Sequence, residues 1–228
     1  KSKVKPILEK EGVRFLMKLS VLSQLVLYKI KEELVNAFGG EFYQVIIGGA
    51  AFNKEVEAFF KKIGFPVTVG YGMTECAPII TYDDWNVEKL YSCGKIAPNM
   101  EMKIDSVDPV NVPGEILIKG ANVFLGYFKN EEATKAVFTK DGWFRTGDMG
   151  VVDKDGCLFI KGRSKCMILG PSGQNIYPEE VETVINSQPY VVDSLVVEDD
   201  GGLTGLIYPD FAQGAKDGMD QDTFIKYI

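Results

Sequence analysis

The chain of 228 residues is 46% apolar and 25% charged, enough to bury a core of one large domain or of a larger and a smaller one. Its 25 Lys and Arg against 32 Asp and Glu leave a net charge of −7, which argues against a general affinity for nucleic acid. Histidine is absent, which excludes Ser/His/Asp, Cys/His and His-ligated metal chemistry and leaves carboxylates, hydroxyls, Lys, Arg and main-chain groups.

In chain order, the start at Lys1–Pro6 lacks the apolar core of a signal peptide. No run approaches the roughly 18 apolar residues of a membrane span. From about Glu11 to Phe38, the residues Phe15, Leu16, Leu19, Leu22, Leu25, Val26 and Leu34 recur at helical spacing, predicting a core-facing helix or two that Gly39-Gly40 stops. Val45-Ile46-Ile47 reads as a short buried parallel strand. Asn53 is a good N-cap for a helix over Lys54–Ile63, ended by Gly64 and Pro66. Val67-Thr68-Val69 is the next strand. If both strands share a parallel sheet, the loops Gly48–Ala51 and Gly70–Glu75 leave from one edge, where ligands usually sit.

From Gly94 to Ile160 the texture is β. Met100–Ile104 alternates apolar and polar, Val112-Pro113-Gly114 is a turn, and Ile116–Ile118 is a strand. Asn130 caps a short helix with Glu131 and Glu132 in its first turn. Asp141-Gly142 and Asp155-Gly156 are turns of hairpin type. A boundary falls near Gly162–Lys165. Beyond it the pattern restarts as a small α+β unit: a strand over Cys166–Leu169, a loop from Gly170 to Gly173, and a helix from Pro178 to about Ile185. Strands Val191–Val197 and Leu203–Tyr208 follow around Asp200-Gly201, and the chain ends inside what reads as a new helix. The cysteines Cys76, Cys93, Cys157 and Cys166 form no CxxC pair and no zinc spacing, and read as reduced thiols of a cytoplasmic protein.

The run Tyr71-Gly72-Met73-Thr74-Glu75 carries the most chemistry. An aromatic ring can stack on a base, a Thr hydroxyl can donate to a phosphate oxygen, and a Glu carboxylate is a hard ligand for Mg²⁺. The plain alternative is an ordinary strand-to-loop turn. This run resembles the central motif of the adenylate-forming (ANL) superfamily of acyl-CoA synthetases, luciferases and peptide-synthetase adenylation domains. Further blocks resemble that family in order and spacing. They are Gly48-Gly49-Ala50-Ala51, Gly114–Gly120 with Gly126-Tyr127 and Asn130, Asp141–Asp148, Gly162-Arg163-Ser164-Lys165, and Gly173 with Pro178–Glu182. The run from Met167 to Pro178 resembles the long-chain fatty acyl-CoA synthetase (AMP-forming) branch.

The resemblance implies an α/β plus β architecture. Residues 1–93 would close the parallel α/β part of a large domain, 94–162 a distorted β-barrel, and 163–228 a truncated, mobile α+β domain. It implies that Gly49, Ala50, Ala51, Tyr71 and Gly72 hold adenine and sugar, that Asp148 accepts from both ribose hydroxyls, and that Arg163 donates to ribose or phosphate. Thr74 and Glu75 would serve catalysis, with Glu75 also the Mg²⁺ ligand. Lys165 would be the hinge, Gly173 would pass the pantetheine arm of CoA, and Gly94 would line an acyl tunnel. Trp143, Phe144, Tyr127 and Phe128 read as core. The implied chemistry joins a fatty acid to ATP, releasing pyrophosphate, and then to CoA, releasing AMP. Peripheral membrane contact suits a greasy substrate, although nothing encodes an anchor.

Departures from the family pattern shape the expectation. No Ser/Thr/Gly-rich phosphate loop and no late Gly-Lys context are found, so the chain alone is expected to be inactive. Cys166 stands where an acidic residue is common, and Ile168-Leu169-Gly170 replaces a common lysine. The alternatives are a ligase for another carboxylic acid, an acyl-AMP synthetase that loads a carrier protein, and a non-catalytic nucleotide-binding module.

Overall fold

The structure, a computed structural model, describes residues 20–170 and 172–227. The helical expectation over Glu11–Leu19 lies outside them. Helix α1 (Ser20–Ala37) ends at Gly39 and Gly40, both left-handed, with the Gly40 N–H donating to Val35 O at 2.9 Å. Its Ile30, Val26, Leu27, Leu34 and Val35 pack with Phe59, Phe60, Ile63, Phe65 and Val67 in one apolar cluster. Leu25, expected in that stripe, is exposed instead.

Strand β1 (Val45–Ile47) runs parallel to β2 (Val67–Val69), joined by helix α2 (Lys54–Ile63). The ends of α2 are made by local chemistry. The Asn53 side chain accepts from Val56 N, Glu55 and Glu57 sit in the first turn, Lys61 and Lys62 in the last, and Gly64 closes the helix in the left-handed region. Strand β2 is buried throughout, whereas Ile46 of β1 is 42% exposed. The expected burial of β1 fails because this sheet has two strands among the described residues, and α2 with α1 covers one face of it.

A second assembly follows. Strands β3 (Tyr71–Gly72), β4 (Ile79–Tyr82) and β5 (Lys95–Ile96) form an antiparallel sheet, with a 3₁₀ turn at Thr74–Cys76 between the first two. Strands β6 (Met100–Asp105), β7 (Gly114–Gly120), β8 (Phe144–Val152) and β9 (Leu158–Arg163) form a four-stranded antiparallel sheet in that order. The expected barrel is thus two open sheets among the described residues. They close on a shared core of Tyr71, Cys76, Ile80, Ile104, Ile116, Ile118, Phe144 and Leu158. Short helix α3 (Glu131–Ala136), capped by Asn130, lies between β7 and β8. Of the aromatics expected in the core, Phe144 is fully buried, Trp143 is half-buried, Tyr127 is partly exposed and Phe128 is 88% exposed.

The last unit starts with the hairpin of β10 (Ile168–Leu169) and β11 (Asn175–Ile176), which is shorter than the strand expected over Cys166–Leu169. Helix α4 (Pro178–Ser187) packs on the hairpin of β12 (Val191–Asp199) and β13 (Gly202–Pro209), where Glu182 accepts from Val196 N at 2.8 Å. Helix α5 (Phe211–Lys216), which the polar composition hid, precedes α6 (Gln221–Tyr227). All four cysteines are free, and among the described residues no helix is long and apolar enough to cross a membrane.

Candidate nucleotide site

Parallel pairing sends the chain out of β1 and β2 at the same edge. Gly48 and Gly70 lie side by side there: a Cβ on Gly48 would stand 3.2 Å from the Gly70 carbonyl oxygen. Gly49 adopts φ +90°, a conformation that favours glycine. Gly72 is required for a different reason. The loop after it folds back so that Met73 N donates to Pro78 O at 2.8 Å, and a Cβ on Gly72 would fall 2.0 Å from that oxygen.

Facing this edge are Asp148 of β8 and Arg163 of β9, which are register partners in neighbouring strands. Asp148 is 7% exposed. Its Oδ2 accepts from the Tyr71 hydroxyl at 2.6 Å, and its Oδ1 forms an ion pair with Arg163 Nε at 2.9 Å. Burial raises the Asp148 pKa, the Tyr71 hydrogen bond and the Arg163 charge oppose that rise, and nearby Glu179 adds to it. Burial and the Asp148 carboxylate keep the Tyr71 hydroxyl protonated far above its ordinary range, so it stays a donor. The Tyr71 ring is 8% exposed and belongs to the core. Its hydroxyl orients Asp148, a task the sequence motif did not reveal.

These groups line one cavity of about 320 Å³. Gly49, Ala50, Ala51, Tyr71, Gly72, Asp148 and Arg163, all singled out from sequence, meet there. Thr74, Glu75, Lys165, Gly173 and Gly94 do not line it. Thr74 is exposed at the 3₁₀ turn, and Glu75 accepts from the Tyr127 hydroxyl at 3.1 Å. Lys165 is exposed in the turn after β9. Gly173 has φ +80° and closes the β10–β11 hairpin, donating to Gly170 O at 2.8 Å. At Gly94, φ is +76° and a Cβ would come within 2.3 Å of the Tyr82 main chain, so close backbone packing explains that glycine.

Sequence reading missed Lys54, Glu57, Tyr91, Cys93 and Glu179, which also line the cavity. In the sequence Glu57 is one of two acids in the first turn of α2. In the fold it is buried, accepts from Tyr91 N, and has its carboxyl pushed up by burial. Burial pushes the Cys93 thiol up to about 12, which keeps it protonated and unreactive.

Among the described residues no three of His, Cys, Asp and Glu cluster as a metal site. Glu75, the carboxylate the sequence marks for Mg²⁺, stands outside the cavity lining and accepts from the Tyr127 hydroxyl; a lone carboxylate of this kind holds Mg²⁺ only when it shares the ion with substrate phosphates.

The AMP-binding enzyme family matches residues 4–128. A long-chain-fatty-acid–CoA ligase of Mycobacterium tuberculosis, FadD15, is 34% identical over 86% of this chain and 31% of its own length. A 2-succinylbenzoate–CoA ligase of Bacillus pumilus is 40% identical over 71% of this chain and 32% of its own length. The chain thus spans about a third of the curated relatives it matches. Among solved structures, the Bacillus subtilis o-succinylbenzoate coenzyme A synthetase (MenE) in complex with ATP and magnesium aligns with a TM-score of 0.66 and 30% identity, over 84% of this chain and 45% of that one. ATP-bound MatB from Rhodopseudomonas palustris aligns with a TM-score of 0.63 and 28% identity, over 79% and 40%. A glycine-lined sheet edge facing a buried, doubly held aspartate agrees with a family match over more than half the chain: this protein belongs to the AMP-binding enzymes.

Proposed function

We propose that the cavity binds the adenylate portion of ATP and of an acyl-adenylate, and that the protein containing this chain is an ATP-dependent acyl-CoA ligase. A carboxylate attacks the α-phosphate of ATP and pyrophosphate leaves. The CoA thiol then attacks the acyl carbon and AMP leaves. The observation that carries the reading is Asp148. A buried carboxylate with its two oxygens held by Tyr71 and Arg163 is oriented in advance for a vicinal diol. Gly49–Ala51 let a flat base and a sugar approach the main chain, and Gly72 lines the same cavity. Thr74 would donate to phosphate. Mg²⁺ held in part by Glu75 would neutralise phosphate charge. Lys165 would be the hinge of a mobile unit over residues 163–228, and Gly173 would pass the CoA arm.

The long-chain reading is supported by the Met167–Pro178 run and by the FadD15 relative. A second reading, an aromatic acid, is favoured by the 40% identity to a 2-succinylbenzoate–CoA ligase. Turnover of both acids by the whole protein discriminates them. The site itself is tested by calorimetry with AMP: Asp148→Ala weakens binding by about tenfold or more, as expected when a charged hydrogen-bond acceptor is lost. Unchanged affinity rejects the assignment.

A further inference from the structure

Among the described residues strand β9 is the edge of its sheet, and an edge strand leaves main-chain groups open. At one end the edge is closed by the segment before β5: Cys93 N donates to Leu158 O at 2.8 Å and Leu158 N to Gly94 O at 2.9 Å. Toward the other end the register with β8 shifts between Met149 and Gly150, the kind of irregularity that re-aims a strand. Beyond it the Arg163 N–H is taken by a carboxylate, Glu179 Oε1, at 3.2 Å.

Glu179 comes from the first turn of α4. Its Oε2 is enclosed with no hydrogen-bond partner among the described residues, and it stands over Gly162, where a Cβ would come within 2.5 Å of it. Its neighbour Glu180 holds Lys161 Nζ at 2.9 Å. Adjacent carboxylates therefore grip β9 on either side of Gly162. The Arg163 side chain is 60% exposed, so little packing holds its guanidinium on Asp148, and the placing of its main chain governs that contact.

We propose that Glu179 is a positioning residue for the nucleotide sugar. It fixes the Arg163 main chain, Arg163 stays on Asp148, and Asp148 stays aimed at the cavity. The proposal rests on the reading of Asp148 as the sugar's acceptor. Its consequence is that departure of α4 from β9 loosens the sugar cradle, so the segment after Lys165 reports its position to the nucleotide.

The test compares AMP with 2′,3′-dideoxy-AMP by calorimetry on the wild-type chain and on Glu179→Ala and Glu179→Asp. Glu179→Ala is expected to weaken AMP about tenfold and leave the dideoxy analogue within about twofold, while Glu179→Asp recovers most of the loss. Amide exchange at Arg163 speeds about tenfold or more in Glu179→Ala, while Ile116 and Leu117 keep their protection and certify the fold. AMP affinity within about twofold of wild type, equal losses for both analogues, or unchanged exchange at Arg163 overturns the proposal. Should the wild-type chain bind both analogues equally, the reading of Asp148 fails, and exchange at Arg163 alone then decides the clasp.

Discussion

Asp148 owes its orientation to burial and to the two groups that hold it. Tyr71→Phe keeps the ring in the core and removes one donor, leaving Oδ2 of a buried carboxylate without its partner. The folded state should lose about 1–3 kcal/mol, read as a lower urea midpoint. A change of a few tenths would show that water replaces the hydroxyl at no loss. Burial also pushes the carboxyls of Glu57, Glu88 and Asp148 above their ordinary range. A raised folded pKa means the native state holds the proton more tightly. The ionised group opposes folding at neutral pH, and that opposition is relieved as pH falls through the folded pKa. These residues therefore contribute a gain in stability on mild acidification, toward the ordinary carboxylate range near about 4. Glu57→Gln with Glu88→Gln should flatten that gain in urea unfolding at about pH 7 and about pH 5. An identical slope in wild type and variant counts against it. The lowered carboxyls of Asp84, Asp108, Asp141, Asp153 and Asp220 act oppositely, and their contribution is lost only at still lower pH.

At the scale of elements, α2 shows how a short helix is specified locally and used globally. Asn53 begins it, charges complement its ends, Gly64 terminates it, and its apolar face meets α1. Because α2 is the crossover between β1 and β2, its start sets where the Gly48–Ala51 loop ends. Asn53→Ala should cost about 1 kcal/mol, measured by urea unfolding, through loss of the hydrogen bond to Val56 N. No loss would mean that tertiary packing alone fixes the helix start. Strand β8 makes the complementary point. Its run Phe144–Val152 alternates between core and surface, and the same alternation that buries Phe144 and Thr146 buries Asp148. A site carboxylate is thereby set by strand register, and its partner Arg163 follows from the pairing with β9.

At the scale of the molecule, the site is assembled from the end of the parallel pair, the four-stranded sheet and the first turn of α4. A ligand that binds this assembly and not the unfolded chain must stabilise the whole by mass action. AMP at about a hundredfold above its Kd should add about 2.7 kcal/mol to unfolding, seen as a shift of the urea midpoint. A midpoint indifferent to AMP would contradict a preformed nucleotide site. The net charge of −7 is no obstacle, because the donors at the cavity act locally.

The sequence by itself determined the elements whose signals are local. The cap at Asn53, the stop at Gly39-Gly40, the turn at Asp200-Gly201 and the alternation in Met100–Ile104 depend on neighbours a few residues away. It also marked Gly49, Gly72, Asp148 and Arg163, because their motifs are short and ordered along the chain. Only the tertiary structure decided that Tyr71 is a buried donor to Asp148, that Phe128 is exposed, that two open sheets share one core, and that Glu57, Tyr91 and Glu179 enter the cavity. These depend on which strands pair and in what register, a choice made by long-range burial that no short window of residues contains.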